Sequence, residues 1–164
     1  MTAFAAFAAP SRTRRSRPRA RSAAACIAAA LAATPLAAEG VSTPQEAAAE
    51  FTASMETGLR ASTLGEAKKC AGYWWALQLV QENSTEVPFW QNLPDRFSAE
   101  TSKLGFDYYG EVVLEAVQGD QARVHKANQD IFDYRQEAIQ RVVSAEQTGG
   151  IEGFFSTLGY CVPE

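Results

Sequence analysis

From Val124 onward, apolar residues recur at Val124, Ala127, Ile131, Tyr134, Ala138, Val142 and Ala145, in steps of 3, 4, 3, 4, 4 and 3. An α-helix returns side chains to one face at that spacing, whereas a strand does so every second residue. The pattern predicts a long helix with a single apolar seam, and such a seam must be covered by other helices. Helical periodicity recurs throughout the chain after Glu39, and alternating strand patterns are nearly absent. These features predict an all-α fold.

The other helices follow from their start and stop signals. Thr43-Pro44-Gln45-Glu46 reads as an N-cap, a first-turn proline and the acidic partner of a capping box. Phe51, Met55 and Leu59 supply that helix with an apolar stripe. A second box, Thr63-Leu64-Gly65-Glu66, opens a helix reaching about Asn83. Its centre, Cys70 to Leu77, is apolar nearly all round, as expected of a helix buried among others. Ser84 to Leu93 reads as a loop containing Pro88, Phe89 and Trp90. Pro94 opens a third long helix with Asp95 in its first turn and Phe97, Leu104, Tyr108 and Val112 as its apolar face. Gly105 and Gly110 weaken this helix unless a neighbour packs closely there. Gly119-Asp120 reads as a stop followed by an N-cap, and so short a link makes the flanking helices antiparallel neighbours. Gly149-Gly150 ends the seam helix, and Ile151, Phe154, Phe155 and Leu158 form a short last helix. The expected architecture is an up-down bundle of four main helices plus a short C-terminal one, spanning residues 39–164.

Residues 1–38 differ in kind. They hold Arg12, Arg14, Arg15, Arg17, Arg19 and Arg21, followed by an alanine-rich apolar run, and contain no Asp or Glu. The order of basic, apolar, then small residues reads as a cleaved export leader, with cleavage between Ala38 and Glu39. The match to a small-x-small site is imperfect, since Leu36 occupies the first small position. The apolar run contains Pro35 and is too short and alanine-rich for a membrane span. The basic section is longer than a bacterial signal needs. It reads either as an upstream start or as a two-stage organellar leader, and Phe4 to Pro10 resembles the Phe-led start of complex-plastid transit peptides. Six of the 15 basic residues and none of the 19 acidic ones leave with the leader. The remaining nine basic against 19 acidic residues give a formal charge of −10, which disfavours nucleic acid and anionic membranes as partners.

Cys26 lies within the leader, ahead of most of its apolar run, where a lipidation signal would not place it. Two cysteines remain, Cys70 and Cys161. An even count in an exported chain predicts one disulfide, tying the last helix to the second.

No catalytic constellation emerges. His125 is the single histidine, and no serine or cysteine motif accompanies it. Glu111 and Glu115, and Asp130, Asp133 and Glu137, have helical spacing. There is no Glu-x-x-His pair, so they read as a solvated acidic face with no metal site. No cofactor is expected. Asn83-Ser84-Thr85 fits a glycosylation triplet of the kind that arises by chance. Among the aromatics, Tyr73 and Trp74 read as core, while Trp90, Phe89 and Trp75 are the candidates for docking a protein partner; Trp90, in a Pro-bounded loop, can either anchor a partner or close over the bundle as a lid.

One cysteine leading an aromatic helix, Cys70-Ala71-Gly72-Tyr73-Trp74, and a second at Tyr160-Cys161 resemble the layout of small uncharacterised periplasmic proteins of bacteria. The resemblance covers most of residues 63–164 and implies a helical exported protein of no assigned activity. A more distant likeness, in size and helical content alone, is to lumenal extrinsic subunits of photosystem II. The expected role is a non-enzymatic binding or accessory module of the periplasm. The alternatives are a subunit of a photosynthetic complex in the thylakoid lumen and a bundle that binds a small ligand.

Overall fold

A computed structural model describes residues 40–148 and 150–163. The expected leader, residues 1–38, and the expected cleavage between Ala38 and Glu39 lie outside the described residues. Among the described residues six α-helices follow one another: α1 Pro44–Glu56, α2 Leu64–Asn83, α3 Pro88–Gln91, α4 Ala99–Val117, α5 Gln121–Thr148 and α6 Phe154–Tyr160. A 3-10 turn, Asp95–Phe97, precedes α4. The described residues contain no strand beyond one antiparallel bridge between Val41 and Ile151.

Both capping boxes form. Thr43 Oγ1 accepts from the Glu46 amide at 3.2 Å, and Glu46 Oε2 accepts from the Thr43 amide at 3.0 Å. At α2 the Thr63 hydroxyl accepts from the Glu66 amide at 3.2 Å, and Glu66 Oε2 accepts from the amides of Ser62 and Thr63 at 3.0 and 2.9 Å. The Ser62 amide, followed by the Tyr160 and Thr63 hydroxyls and the Thr63 amide, holds the Glu66 carboxyl at a pKa of about 2. At the start of α5, Asp120 Oδ1 accepts from the amides of Ala122 and Arg123 at 3.0 and 3.1 Å. The turn before it uses Gly119 at φ 85°, a left-handed conformation that costs glycine little.

α2 is the hub. It packs along both α4 and α5 and touches α6, while α1 packs mainly on α6. Nine of its residues are buried, Cys70 to Trp74 without a break. Two glycines set how closely its neighbours approach. A Cβ on Gly72 would lie 2.6 Å from Tyr134 Cβ and 2.8 Å from backbone atoms of α5. A Cβ on Gly105 of α4 would lie 2.6 Å from the indole of Trp74. In the N-terminal half of α2, two residues before Gly72, the Cys70–Cys161 disulfide forms, with Cα atoms 5.2 Å apart. The Trp74 indole N–H donates to the Cys161 carbonyl at 2.6 Å, a second tie between α2 and the C-terminal segment. The seam of α5 is as expected: Ala127, Ile131 and Ala138 are buried, and Val124, Tyr134, Val142 and Ala145 are partly so. Ile151, Phe154, Phe155 and Leu158 are all buried.

Four local expectations change. The segment Ser84–Leu93 is not all loop, because Pro88 starts the one-turn helix α3 and the Asn92 side chain donates back to the Pro88 carbonyl at 2.7 Å. Pro94 does not open the third long helix. Ser98 caps it instead, its hydroxyl accepting from the Thr101 amide at 3.2 Å, and Phe97 belongs to the preceding 3-10 turn. α4 buries Ser102, Gly105, Tyr109, Val113 and Val117, leaving Leu104 64% and Val112 39% exposed. Gly105 sets this face, because a Cβ there would lie within 2.6–2.8 Å of the Trp74 indole. Leu59 lies beyond the end of α1 and is exposed.

α4 and α5, joined by a short turn, touch one another over a small area, since each packs chiefly on α2. Between them Gly110 faces open space, with no atom within 4 Å of an added Cβ. Gly110→Ala therefore meets no clash and recovers helix propensity. It is expected to raise stability by about 0.5–1 kcal/mol, read as a higher urea midpoint at unchanged slope. An unchanged or lower midpoint would show that Gly110 is constrained by something other than space.

Candidate functional site

The three aromatic candidates have different fates. Trp90 is 7% exposed, its ring 4.9 Å from that of Phe89 and 6.3 Å from that of Phe155. It closes over the core at α3, the intramolecular packing that its loop position also allowed. Phe89 is half-buried in the same cluster, 6.1 Å from Phe155. Trp75 is half-buried and lines an open groove.

That groove lies between α4 and α5 on the flank of α2 and encloses about 410 Å³. Trp75 and Phe106 line it, with ring centroids 5.4 Å apart. Leu114 and Phe132 line it and are 55% and 38% exposed. The Arg135 guanidinium lies 4.0 Å from the Trp75 ring centroid and 4.3 Å from that of Phe132, a double cation–π contact. Arg135 makes no ion pair among the described residues, and its Nε is buried without an acceptor. Arg135 does not line the groove itself but packs on two of its rings, so a cation without an ion pair among the described residues lies beside the apolar surface. His125 is exposed and lines it beside Asn128 and Gln129.

The carboxylates of α5 are not simply a solvated face. Lys68 of α2 donates to Asp130 at 2.7 Å, and Lys126 shares that carboxylate. The Tyr73 hydroxyl donates to Glu137 Oε1 at 2.9 Å, and Arg141 donates to the same oxygen at 3.1 Å. Burial, reinforced by the hydrogen bond to Glu137, pushes the Tyr73 phenol up to about 12. It therefore stays a hydrogen-bond donor, its ring stacked at 5.7 Å on Phe154. Both links join α2 to α5, which makes this cluster structural. Among the described residues no group of three or more His, Cys, Asp or Glu is placed to hold a metal ion.

No protein-family model, no characterised protein and no solved structure matches the chain. Among the described residues no helix is long and apolar enough to cross a membrane. Phe106, Leu114, Phe132 and Arg135 escape a reading of the sequence alone. The available signal is that Phe132 is a large apolar residue off the α5 seam, where a helix with a single covered face would carry a polar one.

Proposed function

We propose that this is an exported accessory protein of the periplasm, without enzymatic activity, that docks a protein partner in the groove of Trp75, Phe106, Leu114 and Phe132. The carrying observation is the apolar groove left open beside Arg135, which stacks on its Trp75 and Phe132 rings and makes no ion pair among the described residues. Exposed apolar patches rimmed by polar groups are a common mark of interaction sites, and aromatic and Arg side chains dominate their energetics. The partner is expected to present an apolar anchor beside a carboxylate. The disulfide supports an oxidising compartment, since such bonds persist there and are rare in the cytosol. Cleavage after Ala38 leaves intact both backbone bonds between Val41 and Ile151, at 3.1 and 2.8 Å.

Mild crosslinking in the envelope fraction, followed by purification, tests the reading. A defined complex is expected for the unaltered protein and is lost in Leu114→Asp, whose site is exposed enough to leave the fold intact. Recovery as a free monomer alone, or a complex indifferent to Leu114→Asp, would sink it.

A further inference from the structure

A second groove, remote in its lining from the first, has different chemistry. It encloses about 620 Å³ and is walled by Phe51, Met55, Trp74, Leu104, Tyr108 and Val162. Its volume and apolar lining are those of small-molecule sites, which add a few placed polar groups to an apolar cleft. Here the charged group is Arg96. The guanidinium lies over two rings, 5.7 Å from the centroid of Phe51 and 5.9 Å from that of Phe97, so its position is supported by packing. One N–H reaches the Thr52 hydroxyl at 3.4 Å. Among the described residues it has no other hydrogen-bond acceptor and no carboxylate within ion-pair distance, although residues 39–164 are strongly acidic. A guanidinium with free donors matches a planar carboxylate.

The remaining polar groups narrow the ligand. The Thr101 hydroxyl is engaged, donating to the Asp95 carbonyl at 3.2 Å and accepting from Ser98 at 3.1 Å. Only Tyr108 offers a further hydroxyl, one with no hydrogen bond among the described residues. A peptide segment would bring several backbone donors and acceptors into this wall and find almost none to match. A single alkyl chain needs none. Leu104, 64% exposed, is the wall residue with most to gain from being covered.

We infer that this groove binds a single-chain amphiphile with an anionic head, the alkyl chain lying along Trp74, Leu104 and Val162 and the carboxylate on Arg96. The site is independent of the partner-docking groove, and either can fail without the other.

The test is calorimetric titration of the full chain with dodecanoate kept below its micelle concentration. Saturable binding is expected. Arg96→Gln and replacement of dodecanoate by dodecanol should each weaken it about tenfold or more, the usual cost of losing a hydrogen-bonded charge partner. Leu104→Asp should weaken it at least as much, placing a like charge beside the chain at an exposed position that tolerates it. Leu114→Asp, in the other groove, should leave it unchanged. Absence of binding would overturn the inference. So would equal affinity for dodecanol, indifference to both Arg96→Gln and Leu104→Asp, or loss through Leu114→Asp. Association with anionic phospholipid vesicles in the absence of dodecanoate binding would also overturn it, marking a membrane contact instead.

Discussion

Replacing Cys70 and Cys161 together by alanine lowers the unfolding free energy by about 4–5 kcal/mol. The bond spans 91 residues of sequence, and opening so long a loop frees much of the unfolded chain. Alanine is the proper replacement because both positions are fully buried, and a serine would add an unpaired hydroxyl to the effect. Such a loss is comparable with the whole stability of a small domain. The chain without its bond is therefore marginal or unfolded at 37 °C. The loss has a structural focus too. α6 buries Phe154, Phe155 and Leu158 against the rest of the core, and α1 packs mainly on α6. Equilibrium urea unfolding of the oxidised protein and the double variant measures the difference. A change below about 1 kcal/mol would mean that the unfolded chain is already held compact by other contacts, and that the bond is not the staple of the fold.

The second large effect is a reversal of sign. In an isolated helix, Gly→Ala stabilises by about 1 kcal/mol. At Gly72 the added methyl would sit 2.6 Å from Tyr134 Cβ and 2.8 Å from both the Arg135 amide nitrogen and the Ile131 carbonyl oxygen. Two of these three atoms are backbone, so no side-chain rotation relieves the clash and α5 must move as a body. That movement strains the two links flanking the contact, Lys68 to Asp130 and Tyr73 to Glu137. Overpacking of this kind costs about 1–3 kcal/mol. We expect Gly72→Ala to destabilise by about 2–3 kcal/mol, against the gain at Gly110. Thermal unfolding of the two single variants side by side decides it. Stabilisation by both would show that α2 and α5 are not in close contact at Gly72.

Much of the helical pattern can be read directly from the residues. The capping boxes at Thr43 and Thr63 bind their own amides and need no distant partner. The long seam of α5 and the all-round apolarity of α2 leave few alternatives for what is covered. By contrast, α3 is too short to be stable alone and exists because Trp90 has a place beside Phe89 and Phe155. The α4 face misleads a reader who follows the large apolar residues. Leu104 and Val112 point outward, because contact with the Trp74 indole at Gly105 favours small side chains over large ones. The candidate site suffers from the same ambiguity. Trp75 can be picked out as an aromatic on α2, but its partnership with Phe106, Phe132 and Arg135 depends on how three helices are placed. Arg96 reads as an ordinary surface cation until the groove beside it is seen.

By itself the sequence determined the helices with local stop and start signals, the buried rank of α2, and the pair of cysteines, Cys70 and Cys161, that lie after Glu39. These properties depend on spacing along the chain and on hydrogen bonds made within a few residues. Only the tertiary structure decided which side of α4 is inside, that α4 and α5 meet α2 more than each other, and where two grooves remain open. Those outcomes depend on how closely backbones approach, and that is set jointly by residues far apart in sequence, Gly72 with Tyr134 and Gly105 with Trp74.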